Sequence, residues 1–408
     1  MDKKIVSNHS TFNPKPFMGF YIHIPFCEKR CNYCDFNTSA GMAHVMGEYV
    51  DSLKKEIKIL RRRYADQFRI GSIYFGGGTP NMLSTDMVKS LVECAYSSFN
   101  VCGDAEITCE CNPNALQKNY LTNLRSNGVN RLSIGMQSAN KHVLTLLGRL
   151  HSFSESMDAV LHAKQSGFDN INMDIIYGIP NQSLQDFQNT LQKARDLDVQ
   201  HLSLYSLSVH AATPIAAMIA DGRIPAVDDD IAADMYEWAD CYLRQSGFSQ
   251  YEISNWSKTD RTTSYKSIHN LSTWRHQPYM GIGAGAHSYD GVRRWENIPQ
   301  ILDYIDSVQV DSVEKIIPHQ AIINYRYLSN EEQVGEAMMM GLRLTDEGVN
   351  LENVAAAYAI DVHEVYGEKI QKLVEKGLLE VFKRNGQTVI RLTQKGRILG
   401  NLVFMEFI

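Results

Sequence analysis

The chain has 408 residues, 44% of them hydrophobic and 21% charged, with a formal net charge of -6. That composition belongs to a globular protein and excludes the disordered and collagen-like classes; the length suits one large domain plus a smaller one. The acidic balance argues against a nucleic-acid-binding molecule, and no run of about 18 apolar residues offers a transmembrane helix. Residues 1–16 are polar and lack the apolar core and cleavage site of a signal peptide, so an N-terminal tail and a cytoplasmic location are expected.

Strand-like segments follow at 20–24, 72–75, 106–111, 131–136, 171–177 and 201–208, each short, apolar or β-branched, and closed by Gly, Pro, Asn or Ser. Helical periodicity fills the intervals. Over 48–64, Val50, Leu53, Ile57, Leu60 and Tyr64 recur at three- and four-residue steps, and Ser84 reads as the N-cap of a helix over 84–99. Helices are also expected over 115–125, 154–165, 183–194 and 229–245. Strand and helix alternating in this way predict an α/β fold with parallel strands and right-handed crossovers. Six units, at 17–250, predict an incomplete (β/α)6 barrel, with chemistry at the carboxyl ends of its strands.

Beyond residue 250 the pattern changes. Residues 251–329 are rich in aromatic residues, Asn, Ser and His, then Gly, and read as an extension. Residues 330–408 read as helices and a hairpin, 379–382 and 389–392 around Asn385-Gly386, a small winged-helix-like α+β domain. Its Lys369, Lys372 and Lys376 alternate with Glu368 and Glu375, which favours a packing domain over a DNA reader. The basic stretch 54–63, broken by Glu56, reads as a solvated helix face with at most a peripheral membrane contact.

Three of the eight cysteines form Cys27-x3-Cys31-x2-Cys34 directly after the first strand. Thiolates at that spacing can converge on one metal centre, and Cys is the usual ligand of iron–sulfur clusters. Three ligands on a [4Fe–4S] cluster leave one iron open. A zinc site with His23 as fourth ligand is the alternative. Cys94, Cys102, Cys109, Cys111 and Cys241 read as small buried hydrophobes; Cys109 and Cys111 share a strand face but lack a matching second pair. At the end of the second strand, Gly76-Gly-Gly-Thr-Pro80 offers close backbone approach to a ligand.

The cysteine motif followed by GGGTP resembles the radical S-adenosylmethionine (SAM) superfamily. Glu110-Cys-Asn-Pro, Gly135-Met-Gln137-Ser, Leu147-Gly-Arg149 and Asn172-Met-Asp174-Ile-Ile-Tyr-Gly-Ile-Pro180 resemble its oxygen-independent coproporphyrinogen III oxidase group. Tyr251-Glu-Ile-Ser-Asn-Trp256, His269-Asn270 and Gly281-Ile-Gly-Ala-Gly-Ala-His287 resemble the HemW-type branch, the heme chaperones. The resemblance implies a [4Fe–4S] cluster on Cys27, Cys31 and Cys34, with SAM on the open iron. It implies that Tyr21 and Tyr33 flank SAM. Gly77, Gly78 and Thr79 would hold the methionyl part, with Glu110, Gln137, Arg149 and Asp174 as polar contacts and Ala286 beside the adenine.

Two functions share such a site. One is a heme chaperone that delivers heme to an acceptor protein and needs an electron donor for its cluster. The other is a coproporphyrinogen III dehydrogenase, which decarboxylates propionates. The dehydrogenases typically carry a further Cys where this chain has Phe36, and a longer segment before the cysteine loop; both differences point to the chaperone. The chaperone motif H-N-x-x-Y-W appears as His269-Asn-Leu-Ser-Thr273-Trp274, with Thr273 in place of Tyr. By resemblance His269 is the heme ligand and Trp274 packs on the macrocycle, with His276 and His287 as competing ligands.

Overall fold

A computed structural model describes residues 15–260, 263–309 and 319–408. The tail expected at 1–16 lies outside them except for its last two residues. Six strands, β1 (Phe17–Ile24), β2 (Arg69–Gly77), β3 (Val101–Cys111), β4 (Arg131–Gln137), β5 (Ile171–Tyr177) and β6 (His201–Ser206), lie side by side in chain order, all parallel. Helices Met46–Tyr64, Thr85–Ser98, Lys118–Ser126, Phe153–Gln165 and Leu184–Asp196 make the crossovers. The three- and four-residue rhythm of the first of these buries Val50, Leu53, Ile57, Leu60 and Tyr64, as expected from its sequence. Ser84 caps the second helix; Ser152 with Glu155, and Ser183 with Asp186, close capping boxes on the fourth and fifth.

The sheet runs further than six strands. On the β6 edge, β7 (Ser249–Glu252) and β8 (Asn255–Ser257) add an antiparallel hairpin. The chain then crosses to the other edge. There β9 (Tyr279–Ile282) runs parallel to β1, followed by antiparallel β10 (His287–Tyr289), β11 (Arg293–Asn297) and β12 (Ile322–Tyr327). The resulting twelve strands stay open, with β12 and β7 at the edges. Short strands with irregular spacing hid these additions from the sequence reading.

Between the two edges lies the helix Ile268–Trp274, which packs on β1 and β2 at the amino end of the sheet interior. Glu106 anchors it: its carboxylate accepts from the backbone N–H groups of Ile268 and His269, at 3.0 Å each, and from Ser267 Oγ at 3.3 Å. A carboxylate there satisfies the free amides of a helix start. Arg131, itself buried, lies 3.9 Å from Glu106.

Glu56 does not interrupt a basic surface; it points inward. It accepts from Gly283 N at 2.8 Å, Asn297 Nδ2 at 2.7 Å, Tyr304 Oη at 2.5 Å and His319 Nε2 at 3.1 Å. One buried carboxylate thus ties the first crossover helix to the strands beyond β9. Along the same helix Lys54 pairs with Asp51, and Lys55 reaches Gln309.

The C-terminal residues form a separate core. Helices Asn330–Gly341, Leu351–Tyr358 and Val362–Glu375 pack with β13 (Val349–Asn350), β14 (Leu379–Arg384) and β15 (Gln387–Leu392), giving the winged-helix-like arrangement. Asn385 and Gly386 both take positive φ, as a tight two-residue hairpin requires. Lys372 bonds Glu368, Lys369 reaches the Glu406 carbonyl and Arg391 pairs with Glu380. Among the described residues, no helix is long and apolar enough to cross a membrane.

Candidate cofactor-binding site

A cavity of about 410 Å³ opens at the carboxyl ends of β1 to β6. Cys27, Cys31, Tyr33, Cys34, Gly77, Gly78, Thr79, Glu110, Gln137, Arg149 and Asp174 line it. Residues from six separate segments therefore meet where a parallel barrel places its chemistry.

All three cysteines are free thiols. Burial pushes the Cys27 thiol up, while Thr79 Oγ1, donating to Cys27 Sγ at 3.6 Å, acts the other way. From Thr79 a chain of hydrogen bonds runs to the second cysteine. Asn112 Nδ2 donates to Thr79 Oγ1 at 3.1 Å. Arg149 Nη2 donates to Asn112 Oδ1 at 2.7 Å and to the Gly135 carbonyl at 2.9 Å. Arg149 Nη1 lies 3.6 Å from Cys31 Sγ. Donors aimed at sulfur stabilise thiolates and suit a thiolate-ligated cluster.

The glycines are needed for close approach. A Cβ on Gly78 would stand 2.7 Å from the Phe26 carbonyl and 2.9 Å from Cys27 Sγ; one on Gly76 would meet the Tyr21 ring at 2.8 Å. Gly77 has φ +115, and its N–H donates to Glu110 Oε2 at 3.1 Å. That amide therefore faces a carboxylate of the chain.

His23 is not a metal ligand here. Its Nδ1 bonds Tyr21 Oη at 3.0 Å and its Nε2 bonds the Asn37 carbonyl at 2.8 Å, so both nitrogens are engaged. Among the described residues no three His, Cys, Asp or Glu side chains gather closely enough for a single metal ion. The zinc alternative thus loses His23 as its fourth ligand. Three thiols beside a glycine cradle, with two donors aimed at sulfur, fit a thiolate-ligated cluster.

Deeper in the cavity are two carboxylates. Glu110 accepts from Tyr74 Oη at 2.9 Å as well as from Gly77, and burial, with Asp174 nearby, raises its pKa to about 7. Asp174 accepts from Asn172 Nδ2 at 2.8 Å and Ser133 Oγ at 3.0 Å, and burial raises its pKa too. Gln137 ends β4 with φ 63 at a register shift in the β4–β5 pairing, a left-handed conformation that turns its amide toward the cavity. Acceptors for hydroxyl and ammonium groups, and a guanidinium for a carboxylate, match the polar groups of SAM.

Four expected contacts lie elsewhere. Tyr21 does not line the cavity; its ring lies 6.2 Å from that of Tyr74, behind it. Ala286 is buried outside the cavity. The small residues around it receive other groups: a Cβ on Gly283 would meet Tyr49 Oη at 2.5 Å, and one on Gly285 would meet Asn37 Nδ2 at 2.5 Å. His269 is 8% exposed at the opposite, amino end. Its Nδ1 is 2.9 Å from Ser72 Oγ, and its ring stacks on Tyr74 at 5.0 Å. The Arg343 guanidinium covers Trp274 at 4.3 Å. As folded, His269 offers no face to a macrocycle, and Arg343 covers one face of the partly buried Trp274. His276 is held at both nitrogens by Tyr358 and Glu336, whereas His287, an exposed side chain on an otherwise buried strand, pairs with Glu296 through Nε2.

The sequence reading gave no role to Asn112, which links Arg149 to Thr79, or to Tyr74, whose ring separates Glu110 from His269. Its place in the strand-end motif Glu110-Cys-Asn-Pro was the signal for Asn112. His210, paired with Asp35 at 3.2 Å, was also unassigned and lines the cavity mouth.

Comparison with known proteins adds a second line of observation. The model of the radical SAM superfamily matches residues 21–194, and that of the HemN C-terminal domain matches 328–399. A heme chaperone HemW of Bacillus subtilis is 34% identical over 95% of this chain and 98% of its own length. A heme chaperone HemW of Lactococcus lactis is 32% identical over 95% and 96%. The solved structure of coproporphyrinogen III oxidase (HemN) from Escherichia coli, a radical SAM enzyme, superposes with a TM-score of 0.79. It covers 96% of this chain and 90% of its own at 24% identity, a likeness of fold.

Proposed function

Because this chain belongs to the HemW family of the radical SAM superfamily, we propose that it is a heme chaperone: it holds a [4Fe–4S] cluster and SAM in the cavity and delivers heme to an acceptor protein. The observation that carries the reading is the convergence of Cys27, Cys31 and Cys34 with Arg149, Thr79 and Glu110 at the strand ends.

Cys27, Cys31 and Cys34 would hold the cluster. Tyr33, Gly77, Gly78, Thr79, Glu110, Gln137, Arg149 and Asp174 would hold SAM. With both bound, the chemistry they would supply is one-electron reduction of the SAM sulfonium, for which an electron donor would be needed. The chain's own residues position and screen. Arg149 and Thr79 donate toward the sulfurs, Glu110 and Asp174 accept from polar groups of the ligand, and Tyr74 closes the cavity floor.

Two features support carrier over dehydrogenase. The family relatives over nearly the whole chain are heme chaperones. Position 36 is a phenylalanine, 62% exposed at the cavity. Separately, eight free cysteines suit a reducing compartment such as the cytoplasm. The paired lysines of the C-terminal domain give no support to a nucleic-acid partner.

The test is oxygen-free purification with iron and sulfide analysis, then hemin titration, then an assay with coproporphyrinogen III, SAM and a reductant. Bound cluster, a heme Soret band and no protoporphyrinogen are expected. Robust protoporphyrinogen formation would make the chain a dehydrogenase, and a protein that binds only Zn²⁺ would remove the cluster.

A further inference from the structure

We propose that His201 is a positioning residue for the cofactor site: its imidazole sets the direction of a hydrogen-bonded chain that ends on the Asp174 carboxylate and presents that carboxylate to the cavity. The inference rests on the reading above in which SAM occupies the cavity.

The strand register assembles the chain. Ser133 on β4, Asn172 on β5 and His201 on β6 stand abreast, and two residues further on Asp174 stands abreast of Ser203. Alternate residues share one face of a sheet, so these side chains meet on the face from which Asp174 enters the cavity. Tyr251, on β7, closes the row beyond His201. His201, Asn172 and Tyr251 are all fully buried, so their polar atoms must find partners within the protein.

Those partners select one arrangement of protons. The backbone N–H of Ser267 donates to Tyr251 Oη at 3.2 Å, so the Tyr251 hydroxyl donates onward, to His201 Nε2 at 2.8 Å. With Nε2 accepting, the ring proton is on Nδ1, which donates to Asn172 Oδ1 at 2.6 Å. Ser203 Oγ donates to the same oxygen at 3.0 Å. Two donors on Oδ1 fix the amide, and its Nδ2 then donates to Asp174 Oδ1 at 2.8 Å and to Ser133 Oγ at 2.7 Å. Ser133 Oγ in turn donates to Asp174 Oδ2 at 3.0 Å, so both carboxylate oxygens are held. A proton on Nε2 instead would set two lone pairs, those of Nδ1 and Asn172 Oδ1, against each other and free the amide to turn. Burial, with the Arg131 guanidinium nearby, pushes the His201 pKa well down, which keeps the ring neutral, a donor at one nitrogen and an acceptor at the other. Ser267 is the N-cap of the helix Ile268–Trp274, so the chain also ties the start of that helix to the cavity.

Two measurements test the assignment. In wild-type protein with ¹⁵N-labelled histidine, the His201 signals, identified by their loss in a His201 variant, should report a proton on Nδ1 and none on Nε2. Anaerobic SAM titration is then compared between two variants whose iron–sulfur content matches wild type. His201→Asn places an amide nitrogen where Nδ1 stands and should bind SAM within about threefold of wild type; His201→Gln places one where Nε2 stands, keeps the tie to Tyr251, and should bind about tenfold more weakly. A merely structural role reverses that order, because Gln fills the space of the imidazole better than Asn. The tautomer is read in the unsubstituted chain, so it decides even where a variant does not fold. A proton on Nε2, or SAM binding by His201→Gln as tight as by His201→Asn, overturns the assignment and leaves the cofactor reading intact. A wild-type protein that holds its cluster and binds no SAM overturns the cofactor reading, and this inference with it.

Discussion

Arg149 Nη1 stands 3.6 Å from Cys31 Sγ while its Nη2 donates to both Asn112 and Gly135. One guanidinium therefore touches the cluster loop, the end of β4 and the residue after β3. Lysine would keep the charge but not the fork. Arg149→Lys is expected to fold, yet to bind SAM about tenfold more weakly and to retain less iron after reconstitution. Anaerobic calorimetry with SAM and iron analysis check this; wild-type values for both would remove Arg149 from the site.

Glu110 gives the site a pH dependence of definite sign. Its pKa is about 7 in the folded chain, against an ordinary value of 4.5. Between those values the folded state binds more protons than the unfolded one, so this group's contribution to stability falls as pH rises from about 4.5 to 7. Buried histidines such as His269, held down at about 4, act in the opposite sense below pH 6.5, so the comparison must be made against a variant. Glu110→Gln should gain on wild type by about 2–3 kcal/mol between pH 5 and 8, because it lacks the carboxyl raised from 4.5 to about 7. Parallel stability–pH curves for the two proteins would contradict it.

The cysteine loop, the glycine turn and the six parallel strands were legible because each is written locally: spacing of like residues, caps, and turn residues at strand ends. Glu56 was not. In sequence it is one acid among lysines and arginines; its partners Gly283, Asn297, Tyr304 and His319 are all more than 200 residues away. The same holds for His269, whose motif is local but whose burial follows from Glu106, 163 residues off. Local patterns announce which groups matter to the chain and say little about which end of a barrel receives them.

Glu56 itself yields a prediction. Removing the carboxylate strands four buried donors at once. Glu56→Ala should therefore cost about 3–5 kcal/mol and loosen the strands beyond β9 first. Hydrogen exchange should quicken at 279–297 while β3 to β5 stay protected. Uniform destabilisation of the whole sheet would show that Glu56 serves the core at large.

Gln137 separates stability from binding. A non-glycine residue at φ 63 on the end of a buried strand carries a conformational cost of about 1–2 kcal/mol. Glycine would adopt that backbone freely, at the loss of the amide that lines the cavity beside Arg149. Gln137→Gly is therefore expected to keep or raise Tm and to lose about tenfold in SAM affinity, since a polar contact to the ligand is worth on the order of 1 kcal/mol or more. Thermal unfolding and anaerobic SAM titration on the same preparation decide it. A variant that melts several degrees lower yet binds SAM normally would mean that Gln137 packs the strand end and that the left-handed turn serves the fold alone.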